Sequence, residues 1–182
     1  MATGLAVPAM AKNDPDQKDQ HDHDLESPDG PMANATVSFG AWPSGGTTPL
    51  DRFTTPTAPV APNVHHMIPF ETRISEGGSV NFVIAGFHVL AIYGPGTNPE
   101  DIDATNTIAL TDNPPGFPQA VNDPTNRVYL GLNPFPLPQD RVEVVQFPLR
   151  GRYLVICAFL PHFLGNGPAG MRGYVNVTAN GM

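Results

Sequence analysis

The chain has 182 residues, of which 22 are proline and 18 are glycine, while only 14% are charged. Prolines spread through the whole chain exclude long helices, because proline lacks the amide donor and clashes with the preceding helical turn. The formal net charge is −8, of which residues 12–30 carry −5, and the rest of the chain contains no lysine. A nucleic-acid partner is not expected without a clustered basic surface. No apolar run approaches the roughly 20 residues of a membrane-spanning helix.

The first 33 residues are predicted to be a tail outside the folded domain. Residues 9–11 read A-M-A, an A-x-A pattern followed by a switch to charged residues. This resembles the end of a secretory signal peptide whose basic start is missing; the alternative is a disordered, alanine-rich terminus. Residues 12–33 are acidic and poor in large apolar groups, so they are expected to be disordered and solvated. Within them, H-D-H-D at 21–24 could weakly bind a divalent cation, although aspartate-rich tails usually bind nothing specific.

Residues 34–182 are predicted to form one all-β domain, a Greek-key β-sandwich. Short apolar runs alternate with clusters of Gly, Pro, Asn and Asp, which is the pattern of short strands joined by turns. A turn is expected at Gly77-Gly78. Strands are predicted over residues 36–39, 64–70, 80–93, 128–132, 142–147, 153–157 and 171–178.

Two stretches of this domain have special features. The run 80–93 is the most strand-like and places Phe82, Ile84 and His88 on one face of a single strand. Both of its faces are mostly apolar, as in a strand that is covered on both sides. Residues 94–140 form a long insertion with repeated turn signals, which either covers a sheet edge or shapes a docking surface.

Cys157 is the only cysteine of the chain and ends an apolar, strand-like run. One interpretation is a core residue, since free cysteines are among the most buried residues. The other is a metal ligand, because a thiolate combined with imidazoles suits copper or zinc. His162 follows five residues later, and Pro161 stiffens the turn between them. His88, near the end of the strongest strand pattern, could supply a third ligand.

The adjacent pair His65 and His66 provides two further candidate residues. Neighbouring residues on a strand point to opposite faces, so one side chain is expected to be buried and the other exposed. Two interpretations stay open: ordinary polar surface histidines, or an extra ligand or partner-facing exit for electrons.

Two segments of the chain carry a family pattern. The first reads F-x3-I-x2-G-G-x-V-x-F-x5-H from Phe70 to His88. The second reads G-x-Y-x-V-x-C-x4-H from Gly151 to His162, and G-M-x-G-x-V-x-V follows from Gly170. Together they resemble the cupredoxins, the small blue copper proteins, over residues 65–180. The C-x4-H spacing is most similar to that of azurin and rusticyanin.

The resemblance implies a mononuclear, type I-like site that binds one copper ion. By position, His88, Cys157 and His162 match the trigonal ligands of the family, and Met171 matches the axial thioether. Structural zinc is the alternative metal, although such sites normally recruit more than one cysteine.

The residues around these ligands agree with the family pattern only in part. A backbone carbonyl of Gly86 or Phe87 is expected near the metal, as in azurin-like members. Many cupredoxins place Asn or Ser after the first histidine to connect the ligand loops, whereas this chain has Val89. Eight residues separate His162 from Met171, where members of the family usually have three or four.

The implied function is a periplasmic or otherwise exported carrier that shuttles single electrons between redox proteins. Such partners are expected to dock transiently near His162, although the apolar residues there could equally just cap the end of the sandwich. Those residues are Phe87, Phe159, Leu160, Phe163, Leu164 and Pro168. The alternative is a periplasmic copper carrier or sensor that uses the same ligands without electron transfer. An enzyme is not predicted, because a Cys157–His162 nucleophile pair would lack a third member and an oxyanion-binding element.

Overall fold

A computed structural model describes residues 32–43, 63–112, 118–135, 139–165 and 170–179. The strands are β1 (Met32–Pro43), β2 (Asn63–Ile68), β3 (Glu71–Ala85), β4 (Leu90–Tyr93), β5 (Thr107–Ala109), β6 (Gln119–Val121), β7 (Arg127–Leu130), β8 (Arg141–Gln146), β9 (Gly151–Cys157) and β10 (Arg172–Thr178). Helical structure in these ranges is limited to a 3-10 turn at Pro99–Asp101 and the helix α1 (Leu160–Leu164). The predicted all-β fold is confirmed. Within the same ranges, no helix has the length and apolar character needed to span a membrane.

The strands form a sandwich in which β3 takes part in both layers. The first half of β3 pairs in parallel with β10, and its second half pairs with β1 and β8. Strand β2 lies beside β1, while β10, β9, β4 and β7 follow one another as antiparallel neighbours. Most neighbours are not consecutive in the chain, as a Greek-key sandwich requires. Of the predicted tail, only residues 32 and 33 are described, and they begin β1; the A-M-A and H-D-H-D segments lie outside the described residues.

The long strand β3 changes layer at Gly77 and Gly78. Gly77 has a φ of +79°, in the region that favours glycine. Phe147 holds the bend, because its carbonyl accepts from the Gly77 amide and its own amide donates to the Gly78 carbonyl, both at 2.9 Å. The predicted turn at this position is therefore wrong, since the strand continues through it.

The single strand predicted over 80–93 is also wrong, because the chain crosses between the layers in the middle of this run. Strand β3 ends at Ala85 and β4 begins at Leu90. Gly86 makes the break with a φ of +91°, and its carbonyl accepts a hydrogen bond of 3.1 Å from the His88 amide. An alternating apolar run does not reveal such a crossover, since both halves are buried. The consequence is that His88 lies in a tight connection between two strands.

Two apolar clusters stabilise the sandwich, one between the layers and one on the outer face of β4, β9 and β10. The first contains, among others, Val37, Phe39, Ile74, Phe82, Ile84, Ile92, Val155, Cys157, Met171 and Val175. The second contains Val89, Ala91, Tyr93, Ile102, Leu110, Ala120, Val121, Leu154, Ile156, Ala158 and Tyr174.

The second cluster shows what the described part of the insertion does. The antiparallel pair β5–β6 lies in the insertion, and Val121 of β6 donates to the Ala158 carbonyl at 2.7 Å. With the insertion in place, Leu154 and Ile156 of β9 are completely buried on the face opposite to Cys157. The insertion therefore covers the face of a sheet.

Candidate metal centre

Three of the predicted ligands come from three backbone segments that meet at one end of the sandwich. His88 lies in the connection between β3 and β4, Cys157 is the last residue of β9, and His162 lies in α1. Strand pairing brings the first two segments together, because Leu90 is directly opposite Cys157. Pro161 occupies the first turn of α1, where its missing amide costs nothing. The His162 amide donates to the Phe159 carbonyl at 2.8 Å, which turns the chain back toward Cys157.

The donor atoms of these three residues form a compact triangle. The Cys157 Sγ lies 3.4 Å from His88 Nδ1 and 3.6 Å from His162 Nδ1, and the two Nδ1 atoms are 3.1 Å apart. Typical metal–nitrogen and metal–sulfur bonds of about 2.0 and 2.3 Å, set in a trigonal plane, separate such atoms by about 3.5 and 3.7 Å. The observed edges are slightly shorter, so the three donors fit one ion after a small expansion.

The triangle is buried and uncharged when it holds no metal. Cys157 and His88 are almost fully excluded from solvent. Burial raises the pKa of the Cys157 thiol to about 12. Burial also lowers the pKa of His162 to about 3 and that of His88 well below its ordinary value, and the neighbouring histidines add to the effect. A buried, protonated thiol beside two neutral imidazoles is unsuited to nucleophilic attack, whereas a cation would stabilise its thiolate.

Met171 lies directly across from Cys157 in the β9–β10 pair. The Cys157 amide donates to the Met171 carbonyl at 2.9 Å, and the Met171 amide donates to the His162 carbonyl at 2.8 Å. Directly opposite residues of antiparallel strands present their side chains on the same face. Met171 is buried in the same apolar cluster as Cys157. Its position is compatible with the predicted axial role, which stays a prediction.

His65, whose role the sequence left open, lies beside the donor triangle. Its ring is stacked on that of His162, with the centroids 3.9 Å apart and the planes inclined by 24°. The His88 ring is 5.2 Å away from it. One nitrogen from each of these three histidines lies within 4.8 Å of the others. His66 is exposed, as the alternation along a strand requires.

A buried ion pair behind His88 was not anticipated from the sequence. Arg141 Nε contacts Glu143 Oε1 at 2.7 Å, with both side chains almost completely shielded from solvent. Glu143 also accepts from the Tyr129 hydroxyl at 2.8 Å and from the Leu132 amide at 3.2 Å. Arg141 Nη2 donates to the His88 carbonyl at 2.9 Å. This network connects the His88 segment to β8. It thus fixes a segment that the Val89 side chain, which has no hydrogen-bond donor, cannot fix.

The Val89 backbone provides a second anchor. Its carbonyl accepts a hydrogen bond of 2.7 Å from the Ala158 amide, immediately after Cys157. The two ligand segments are thus connected without the Asn or Ser that many cupredoxins have at this position. The carbonyl of Gly86, one of the two predicted to lie near the metal, accepts a hydrogen bond from the His88 amide.

Two phenylalanine rings pack beside His162. The Phe159 ring meets the His162 ring edge to face at 4.6 Å, and Phe87 packs against Phe159 at 5.0 Å. Phe163 is partly buried against the second apolar cluster, whereas Leu164 is 64% exposed. The predicted patch therefore includes capping residues as well as exposed ones; Pro168 lies outside the described residues.

Comparison with known proteins gives structural neighbours but no sequence match. No protein-family model matches the chain, and no curated protein matches it. Among solved structures, reduced auracyanin from Roseiflexus castenholzii has 17% identity and a TM-score of 0.47, covering 82% of this chain and 99% of its own. Auracyanin A from Chloroflexus aurantiacus, described as a "blue" copper protein, has 20% identity and a TM-score of 0.36 over 80% of this chain and 99% of its own.

A pseudoazurin from Sinorhizobium meliloti has 15% identity and a TM-score of 0.36, covering 81% of this chain and 75% of its own. Because all three TM-scores lie below 0.5, the metal centre is inferred from the donor atoms of this chain.

Proposed function

We propose that this protein binds one copper ion and transfers single electrons between redox partners. The observation that carries the proposal is the triangle of His88 Nδ1, Cys157 Sγ and His162 Nδ1, with edges of 3.1 to 3.6 Å. One thiolate and two imidazoles are a donor set suited to copper. Copper would supply one-electron chemistry between Cu(II) and Cu(I).

The way the ligands are held favours electron transfer over copper carriage. The backbone carbonyl of His88 accepts a hydrogen bond from Arg141, and the backbone of Cys157 is paired with the segments that begin β4 and β10. Ligands held by the fold reorganise little when the charge of a bound ion changes, which is what rapid electron exchange requires. A copper carrier must release its ion, and ligands buried to this degree are poorly placed for transfer to another protein.

Partner docking is proposed at the end of the sandwich around His162. This histidine is the least buried member of the triangle, and the apolar Leu164 lies exposed beside it. A weak apolar contact there would allow brief encounters.

We further propose that the protein works outside the cytoplasm, in keeping with the A-M-A pattern at residues 9–11. N-terminal sequencing of the native protein tests this location, since a start at residue 1 or 2 would contradict cleavage.

The experiment is to add Cu(II) to the purified metal-free protein and to record visible absorption, EPR and voltammetry. A strong thiolate-to-copper absorption band and a reversible one-electron wave are expected, and Cys157→Ala should abolish both. Absence of the band from the parent protein would refute the proposal. Rapid loss of Cu(I) to a chelator, without a reversible wave, would instead favour the carrier.

A further inference from the structure

His65 reaches the metal centre from a strand that carries none of the predicted ligands. It lies on β2, opposite Ala41 of β1. From there its ring approaches both His162, at 3.9 Å between centroids, and His88, at 5.2 Å. The next residue, His66, is exposed. The two adjacent histidines therefore occupy very different environments.

The Nδ1 atom of His65 is buried and forms no hydrogen bond with any residue in the described ranges. A buried ring nitrogen normally has a partner, because its desolvation is otherwise uncompensated. One nitrogen of His65 lies within 4.8 Å of one nitrogen of each of the other two imidazoles. One cation placed among the three rings would contact a nitrogen of each.

We propose that His65 is a third imidazole ligand, so that the metal is bound by three histidines and Cys157. This inference depends on the proposed metal site but goes beyond the two-histidine set of the sequence motif. An additional nitrogen donor favours Cu(II) relative to Cu(I), which soft sulfur donors prefer. The expected consequence is a lower reduction potential and a Cu(II) centre with a stronger ligand field than a two-histidine site has.

The test uses paired variants at the two adjacent histidines. His65→Phe keeps a flat ring that can stack on His162 but removes both nitrogens, and His66→Phe makes the same change at the exposed neighbour. Far-UV circular dichroism of both metal-free variants checks that they fold. The dissociation constant for Cu(II), the EPR spectrum and the nitrogen couplings are then measured for the parent and for both variants.

If His65 is a ligand, His65→Phe should weaken Cu(II) binding by about tenfold or more, alter the EPR spectrum and remove one imidazole coupling. His66→Phe should match the parent. Histidine-labelled protein loaded with diamagnetic Cu(I) gives a readout without mutation, since a ring nitrogen resonance of His65 should move on loading together with those of His88 and His162.

The opposite result is equally clear. If His65→Phe retains the affinity and spectrum of the parent, or if the His65 nitrogens do not respond to Cu(I), then His65 only stacks on His162 and the inference is wrong. Should His65→Phe fail to fold, the labelled parent protein still decides the question. If the parent itself shows no thiolate-to-copper band, the proposed function fails, which is a separate outcome from loss of the His65 role alone.

Discussion

Arg141 Nη2 donates a hydrogen bond of 2.9 Å to the backbone carbonyl of His88, which connects strand β8 directly to the segment of this proposed ligand. The same guanidinium group donates to the carbonyls of Leu132 and Gln139 and is paired with Glu143. Its hydrogen bonds thus fix the connection between β3 and β4, in which His88 lies. Because Arg141 is almost completely buried with its partner, the arrangement has consequences for both stability and the site.

Replacing Arg141 by Met should destabilise the metal-free protein by about 3–5 kcal/mol, because the change leaves the Glu143 carboxylate buried without its cation. Urea unfolding, followed by circular dichroism, measures this free energy. Cu(II) affinity should also fall, since the His88 segment loses its anchor.

The exposed pair of Arg150 and Glu76 provides a matched control, with the same 2.7 Å contact but a 62% exposed arginine side chain. Arg150→Met should cost about 1 kcal/mol or less, because water screens exposed pairs. Equal losses for Arg141→Met and Arg150→Met would show that the buried pair has no special role.

Metal binding should release one proton per copper ion at pH 7 to 9. Burial raises the pKa of Cys157 to about 12, so the thiol is protonated before binding and must become a thiolate. Burial lowers the pKa of His162 to about 3, so its imidazole binds as the free base. The logarithm of the affinity should therefore rise by about one per pH unit, as titration calorimetry in buffers of different ionisation enthalpy can measure. Release of two or more protons would contradict the neutral imidazoles.

Much of the metal triangle could be read from the sequence because it depends on local spacing. Four residues between Cys157 and His162 are enough for one turn after a strand, and an apolar strand pattern predicts that Cys157 is buried. The sequence predicts His88 as a ligand at the end of a long strand, whereas Gly86 ends that strand before His88. Local pattern thus selected three residues that lie together in the structure, although it missed the crossover.

The interactions that could not be predicted are between residues distant in the sequence. His65 and His162 are 97 positions apart, and no local pattern shows that β2 brings one ring against the other. Strand β8 is a second example, because its burial pattern is the reverse of what hydrophobicity predicts. Val142 and Val144 are exposed, whereas Glu143 between them is buried. Such an inverted strand signals an inward-facing charge that needs a partner, but it does not identify Arg141 and Tyr129.

Met171→Leu tests the predicted axial thioether. Leu has a similar volume but no sulfur donor, so the core should lose less than about 1.5 kcal/mol of stability. If the thioether contacts copper, the reduction potential should rise and the EPR spectrum should change, because a site with one ligand fewer and an apolar side chain in its place favours the lower charge of Cu(I). Met67 is buried in the same apolar cluster and offers the control Met67→Leu. An unchanged potential and spectrum in Met171→Leu would exclude Met171 as a ligand.

Asp123 is expected to hold the insertion against the sheet. Its buried carboxylate accepts hydrogen bonds from the Asp103 amide at 2.9 Å and the Thr125 amide at 2.8 Å, and its carbonyl accepts from the Tyr93 hydroxyl at 3.1 Å. Asp123→Ala should cost about 2–4 kcal/mol, because two charge-assisted bonds are lost. Hydrogen exchange at the Val121 amide should accelerate.

The exposed Asp112 gives the control Asp112→Ala for this change. Its free energy of unfolding and the exchange rate of Val121 should match those of the parent protein. If Asp123→Ala behaves like Asp112→Ala, the insertion is held by apolar packing alone.

The metal-free protein should lose stability as the pH falls below about 6.5, the ordinary pKa of histidine. Burial lowers the pKa values of His65, His88 and His162 in the folded protein, so the unfolded chain binds these protons first. The loss should continue toward pH 3 for His162, the folded pKa at which its contribution is exhausted. Urea unfolding at a series of pH values should show a shallower decline in His162→Gln than in the parent. Identical slopes in the two proteins would mean that folding does not lower the pKa of His162, and the neutral state of the metal-free triangle would then be wrong.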